Sequence, residues 1–326
     1  MDAKPIFSKE ILKINNVEAT VNSICNKLQN DIHKILRRNG GIIGISGGID
    51  SSVTLALTAR ALGSAKVKGI MLPEKDSSPA SLELAKKLAK KFNVQYEIED
   101  ISAALEGLNC YKRRDESVKK VFPEYNPLDY KFKIGITPNL LNPNLPAIFH
   151  ATIIDSAGEQ KNKRLPLEEY LQIVAASNFK QRSRMSMLYY YAEKMHYAVI
   201  GTPNKHEVQQ GFFVKHGDGA ADVMPIAHLY KTQVYQIARY LEIPQEIIDR
   251  TPTTDTYSAE QTQEEFFFQL PFQQMDLLWY AFENNYSTEE VSKVMGMSVK
   301  EVQGIFNGFI RKIKTTEYLR MVPIKY

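Results

Sequence analysis

The run Gly44-Ile45-Ser46-Gly47-Gly48-Ile49-Asp50-Ser51-Ser52 brings together what an anion needs from a protein. Paired glycines let the backbone turn tightly and bring its N–H groups close to a ligand. The hydroxyls of Ser46, Ser51 and Ser52 add donors, and a helix opening just beyond them supplies partial positive charge. Such a loop cradles phosphate or pyrophosphate. It is neither the G-x-x-x-x-G-K-[ST] loop nor the G-x-G-x-x-G turn. Asp50 would repel phosphate in this cradle unless a cation lay between them, and a Mg2+ bridging phosphate oxygens to the carboxylate resolves the conflict. A plain strand-to-helix turn capped by Asp50 is the simpler alternative. The complete Ser-Gly-Gly-x-Asp-Ser run after a strand favours the ligand site.

Further polar stretches carry candidate ligand groups. Asn178-Phe-Lys-Gln-Arg182-Ser-Arg184-Met185 fits a helix with Lys180 and Arg184 on one face and Asn178 and Arg182 on a neighbouring one. Two arginines there suit a carboxylate or a diphosphate; a solvated basic face would look alike. In Gly201-Thr202-Pro203-Asn204-Lys205-His206-Glu207, directly after an apolar strand, Glu207 is a candidate second metal ligand beside Asp50 and Thr202 a donor to nucleotide. The stretch Phe212 to Asp222 reads as a surface loop presenting Lys215 and two carboxylates. Lys231 opens a helix and, near a triphosphate, would offset the charge that develops on a leaving group, and Thr251-Pro-Thr253-Thr254-Asp255 is a hydroxyl-rich turn. His206 and His216 fall among these stretches, but with no orienting partner in the sequence both are read as exposed and given no role.

The elements that must position these groups follow from hydrophobic periodicity. An amphipathic helix is expected over about Val17 to Arg38, then a buried strand through Ile42, Ile43 and Ile45, and a helix from Ser51 to Leu62. A strand at Val67 to Leu72, a helix at Pro79 to Phe92 and a strand at Val94 to Ile98 continue the alternation. Later a helix ending at Tyr189 to Met195 runs into the strand Tyr197-Ala-Val-Ile-Gly. Strands alternating with such helices imply an α/β fold, a doubly wound parallel sheet with helices on both faces. Between Ser102 and Pro166 the pattern breaks, and an inserted β-hairpin is expected from Lys131 to Ile136 and Ala147 to Ile154, with Asp155-Ser-Ala-Gly as a turn. The reading is one domain over residues 1–326, with an insertion at about 102–166 and a helical extension at about 284–326.

Composition removes other classes. With 44% hydrophobic and 24% charged residues the chain is neither disordered nor collagen-like. Its 41 basic against 37 acidic residues give +4, little sign of a dedicated nucleic-acid binder. Two cysteines, Cys25 and Cys110, make no disulfide framework and are read as free thiols, with Cys25 in the core. The opening MDAKPIFSKEILKI has no secretory character, and no apolar run approaches the roughly 18 residues of a membrane span. A cytoplasmic enzyme with no membrane and no nucleic-acid partner is expected. Ser287 to Gln303 carries Ser-led helix starts either side of a Gly turn, like a helix-turn-helix, but its cations come only at the far end, so two helices covering the core are preferred.

The loop at Gly44 to Ser52 resembles the signature of the N-type ATP pyrophosphatases, the PP-loop family, which cleave ATP to AMP and pyrophosphate. With Asn178-x-x-x-Arg-x-Arg-Met, Gly201-Thr-x-x-x-x-Glu, Phe212-x-x-Lys-x-Gly-Asp-Gly-x-Ala-Asp, Lys231-Thr-Gln-Val and Pro252-Thr-x-Asp in order, the chain is similar to the NAD synthase branch. That resemblance implies ammonia-dependent synthesis of NAD+, by adenylation of the nicotinate carboxylate of deamido-NAD and amide formation with ammonia. It further implies that Gly44, Ile45, Ser46, Gly47, Gly48, Ile49, Asp50, Ser51, Thr202, Lys231 and Thr253 contact ATP and that Asp50 and Glu207 hold Mg2+. Arg182, Lys215 and Asp222 would contact the dinucleotide, near the subunit interface of a homodimer. A PP-loop amide ligase acting on another carboxylate is the alternative. The family's Gly-Thr-Gly-Asn stands here as Gly201-Thr202-Pro203-Asn204, its Asp-Glu-x-x-Leu-Gly as Gln263 to Gln269, and its late His-Lys-Arg as Tyr318-Leu319-Arg320. The excursion at 102–166 is also longer than in the family. Only about 40 residues precede the loop, against the large amidase domain of glutamine-dependent members, so free ammonia is the implied donor.

Overall fold

The computed structural model describes residues 4–136, 148–254 and 256–326. Asp255 of the hydroxyl-rich turn, and Ala147 at the start of the expected second hairpin strand, lie outside them. The first helix, α1 (Val17–Asn30), is capped by Asn16 and gives way to a π-helical turn over Asp31–Ile35, which ends the regular α geometry before Arg38. Strand β1 (Gly41–Gly44), helix α2 (Ile49–Leu62), β2 (Val67–Met71), α3 (Pro79–Lys91) and β3 (Gln95–Ile98) then alternate as the periodicity requires.

The segment read as irregular contains two helices, α4 (Ser102–Gly107) and α5 (Cys110–Val121). Beyond them come β4 (Lys131–Ile136), β5 (Phe149–Ile154) and β6 (Gln160–Arg164), so the expected hairpin is a three-stranded antiparallel sheet. The turn between β5 and β6 falls on Asp155-Ser-Ala-Gly, where the Asp155 carboxylate accepts N–H bonds from Ala157 and Glu159. Helix α6 (Leu167–Met195) leads to β7 (Ala198–Val199), followed by α7 (Lys205–Gln210), α8 (Lys231–Tyr240), α9 (Gln245–Ile248), α10 (Phe272–Glu283), α11 (Thr288–Met295), α12 (Val299–Thr315) and α13 (Glu317–Arg320).

The main sheet runs β3-β2-β1-β7, all parallel, with Gly41 opposite both Val67 and Ala198. Alternation divides the strands between two faces. Ile43, Val67 and Met71 join α1, α2, α3 and α8 in one apolar cluster, while Ile42, Ile70 and Val199 meet α4, α5 and α6 in another. Helices therefore cover both faces. The strand order turns back between β1 and β7, and the carboxyl ends flanking such a switch are where open α/β sheets place ligands. Helices α11 and α12 each begin with a Ser–Glu capping box, and α12 buries Val302, Ile305, Phe306 and Phe309 against α10, which is the preferred packing arrangement. Cys25 and Cys110 are buried free thiols. Among the described residues no helix is long and apolar enough to cross a membrane.

Candidate active site

Beyond β1 the chain turns through Ser46, Gly47 and Gly48 before α2 begins. Gly47 has φ +75°, and a Cβ there would lie 2.4 Å from the backbone oxygen of Ser81, so the turn excludes a side chain. The Ser46 hydroxyl accepts the Gly48 N–H at 3.3 Å and lies 3.2 Å from the Ser51 hydroxyl, while Ser51 and Ser52 donate to the Gly48 carbonyl at 3.0 and 2.8 Å. No side chain caps α2, whose amino end opens on the cavity.

Two more helix starts converge on Asp50. Asn204 caps α7 by accepting the N–H groups of His206 and Glu207, and Glu207 returns the bond by accepting the Asn204 N–H at 2.8 Å. The Asn204 amide also donates to Asp50 at 3.3 Å. From the other side Lys231, the first residue of α8 and fully buried, forms an ion pair with Asp50. Burial alone would lower the Lys231 ammonium, but the charges of Asp50 and Glu207 outweigh it and hold the group above its ordinary value. Glu207 moves up as well, first through burial and then through the Asp50 charge, with Lys231 pulling the other way. Two carboxylates share one ammonium here.

The cavity bounded by these groups has a volume of about 590 Å³. Of the expected residues, Gly44, Ile45, Ser46, Gly48, Ile49, Asp50, Ser51, Thr202, Glu207 and Thr253 line it. Gly47 and Lys231 sit behind the wall. Arg182, Lys215 and Asp222 lie outside it and are engaged elsewhere: Arg182 donates to the Lys215 carbonyl at 3.2 Å, Lys215 to the Tyr318 and Met321 carbonyls at 2.8 and 3.1 Å, and Asp222 accepts the Val199 N–H at 2.8 Å. The two arginines of α6 thus part company. Arg184 reaches the cavity and donates to the Leu72 carbonyl at 3.1 Å, whereas Arg182 is exposed.

Two corrections concern side chains read as surface groups. His206 is completely buried, its Nε2 2.6 Å from Asp276, whereas His216 is exposed as expected. The second carboxylate of the 212–222 loop, Asp218, points inward, lines the cavity and accepts the Val214 N–H at 2.7 Å. Asn204 was legible as a partner of Glu207, because Asn-x-x-Glu ahead of a helix is a capping box. Nothing local in the sequence pairs His206 with a residue 70 positions away.

Among known proteins, the family model for NAD synthase matches residues 20–122 and 147–323. An NH(3)-dependent NAD(+) synthetase of Rhizobium meliloti (strain 1021) is 45% identical over 318 residues, 98% of this chain and 94% of the relative. The chain belongs to the NAD synthase family. A more distant NAD synthase relative, the NH(3)-dependent NAD(+) synthetase of Methanocaldococcus jannaschii, is 30% identical over 94% of this chain and 96% of its own length. Two solved structures share the NAD synthase fold. NH3-dependent NAD synthetase from Campylobacter jejuni superposes with TM-score 0.61 at 22% identity, covering 95% of this chain and 99% of that one; NMN synthetase from Francisella tularensis gives 0.64 at 21%, covering 96% and 99%. The stretch passed over by the NAD synthase match, 123–146, is shorter than the 102–166 excursion, whose first part is α4 and α5.

Proposed function

We propose that this chain is an ammonia-dependent NAD+ synthase that uses ATP, deamido-NAD and ammonia. The observation that carries the reading is the convergence of Asp50, Glu207 and Lys231 beside an uncapped helix end, at the sheet's switch point, in a relative of NH(3)-dependent NAD(+) synthetases. In the first step a nicotinate carboxylate oxygen attacks the α-phosphorus of ATP, and pyrophosphate leaves. In the second, ammonia attacks the acyl carbon, AMP departs with the electron pair, and a proton is lost to give the amide.

The loop from Ser46 to Ser51 and the amino end of α2 would hold the phosphates, and Lys231 would offset the charge that grows on the departing pyrophosphate. Thr202 and Thr253 supply hydroxyls to the nucleotide. Asp50 and Glu207 are hard oxygen donors, and the burial and Asp50 charge that raise the Glu207 carboxyl would be offset by a cation between them, which suits Mg2+, an ion that takes one or two carboxylates and completes its shell with water and substrate phosphate. When bound there it would neutralise phosphate charge. Arg182, Lys215 and Asp222 are assigned to the dinucleotide by the family resemblance. Because they lie outside the wall, that assignment requires a ligand that extends past the cavity onto the 212–222 loop, and the same resemblance implies a homodimer whose interface lies near it.

The test is formation of AMP and pyrophosphate from ATP, deamido-NAD and ammonium by the purified protein. Asp50→Asn should reduce that turnover on the order of 100-fold with the fold intact. Turnover with another carboxylic acid but none with deamido-NAD would refute the substrate assignment, and undiminished pyrophosphate release by Asp50→Asn would refute the site.

A further inference from the structure

Behind the cavity wall, one buried carboxylate ties together the two helices that carry Glu207 and Lys231. Asp276, on α10, is completely buried. Its Oδ1 lies 2.6 Å from His206 Nε2 and its Oδ2 accepts the Thr232 N–H at 2.7 Å. His206 directly precedes Glu207 in α7, and Thr232 directly follows Lys231 in α8. One oxygen thus holds the start of α7 and the other the start of α8. We propose that the His206–Asp276 pair is a positioning device that sets Glu207 and Lys231 at working separation on either side of Asp50.

The surroundings give the pair a single arrangement. Gln210 Nε2 lies 3.1 Å from His206 Nδ1, and on the other side of the ring the Asp276 carboxylate is an acceptor for Nε2. Nδ1 therefore accepts from Gln210, and Nε2 carries the hydrogen given to Asp276. The rings of Tyr230, Trp279 and Phe268 enclose the imidazole with centroids 5.7, 5.8 and 6.0 Å away. A hydrogen bond in such surroundings has no water to replace it, so its geometry is enforced. An outer bridge also exists, since Glu283 pairs with Lys205 at 2.8 Å and accepts the Tyr230 hydroxyl at 2.5 Å, but Glu283 is partly exposed. The inner tie is the one aligned with the reacting groups.

The inference rests on the proposed roles of Glu207 and Lys231, and the experiment separates the two. Steady-state AMP formation is measured with the full-length protein and with His206→Phe, His206→Gln, Asp276→Asn and Lys231→Ala, alongside thermal unfolding of each. His206→Phe keeps the ring and loses the bond; its kcat should fall about 10- to 100-fold while KM for ATP stays within about threefold. His206→Gln restores an N–H donor and should recover most of the loss. Asp276→Asn, which keeps the shape but accepts from only one of the two donors, should show the same fall in kcat, and it carries the test if His206→Phe does not fold. Wild-type kcat in folded His206→Phe or Asp276→Asn, or an equal loss in His206→Gln, overturns the positioning role. Full turnover by Lys231→Ala overturns the site assignment itself, whereas an inactive Lys231→Ala beside a fully active His206→Phe overturns the positioning role alone.

Discussion

Asp218 illustrates how a cavity wall changes an ordinary carboxyl. Burial pushes it from 3.8 up to about 6, against the opposing pull of the Val214 N–H bond and the Arg184 charge. The folded chain therefore holds this proton more tightly than the unfolded chain does. The contribution to stability is complete below about pH 4 and is lost as the pH rises through about 6. Asn at this position can still accept the Val214 N–H but does not ionise. Asp218→Asn should consequently flatten the dependence of Tm on pH between about 4 and 6, relative to the native chain, in thermal unfolding at a series of pH values. An unchanged slope would mean that the Asp218 carboxyl is better solvated than its neighbours imply. Glu207, another carboxylate of the cavity, is raised by a different balance, burial reinforced first by the Asp50 charge and to a smaller extent by Asp218 itself.

Between elements, a buried polar junction centres on Lys180 of α6. Its ammonium lies 2.7 Å from Asp76 and 2.9 Å from Glu74, both in the loop after β2, and donates to the Thr256 carbonyl at 2.8 Å. Arg114 of α5 also pairs with Asp76, and the Tyr111 hydroxyl donates to Glu74 at 2.7 Å. Lys180→Met preserves the stem and deletes the charge, leaving Glu74 buried without a cation. Loss of one partner of a buried pair costs about 3–5 kcal/mol, and the low end is expected because Arg114 remains on Asp76. Urea unfolding measures it; a change under about 1 kcal/mol would show that the junction is dispensable. This network also explains what the sequence concealed. Strands β1, β2 and β7 were legible as short apolar runs and α3 by apolar residues at helical spacing, while α2 is buried on nearly every side. Helix α5 was not legible, because its buried face is Cys110, Tyr111, Arg114, Ser117 and Val118, so an arginine and a serine occupy positions where periodicity requires apolar side chains. Strand β6 is Gln-Lys-Asn-Lys-Arg with every residue exposed, and only its pairing with β5 makes it a strand. In the candidate site, the turn from Ser46 to Ser51 and the place of Glu207 just after a strand could be read locally. The inward turn of Asp218 and the His206–Asp276 tie depend on burial created by distant segments.

At the scale of the whole molecule, the cavity lies where the apolar clusters of the described residues meet. Ile45, Ile49 and Ile247 bring one face of the sheet to its wall, Leu72, Met185 and Leu188 the other. Tyr170, Tyr257 and Phe266 come from the cluster around the antiparallel sheet, and Phe212 and Phe267 from the cluster of C-terminal helices. A ligand that fills the cavity therefore contacts every cluster at once, and its binding energy should be felt by all of them rather than by one lobe. With ATP and Mg2+ at about 100 times Kd, stabilisation of about 2.7 kcal/mol is expected, which for a chain of this size raises Tm by about 4 °C. Calorimetry, with near-ultraviolet circular dichroism to report aromatic packing, should find the entire transition displaced together. Asp50→Asn should lose most of the displacement, because the proposed metal ligand is then missing. A scan in which only part of the transition moves would mean that the nucleotide grips the sheet's carboxyl edge alone, leaving the C-terminal helices to unfold independently of the site.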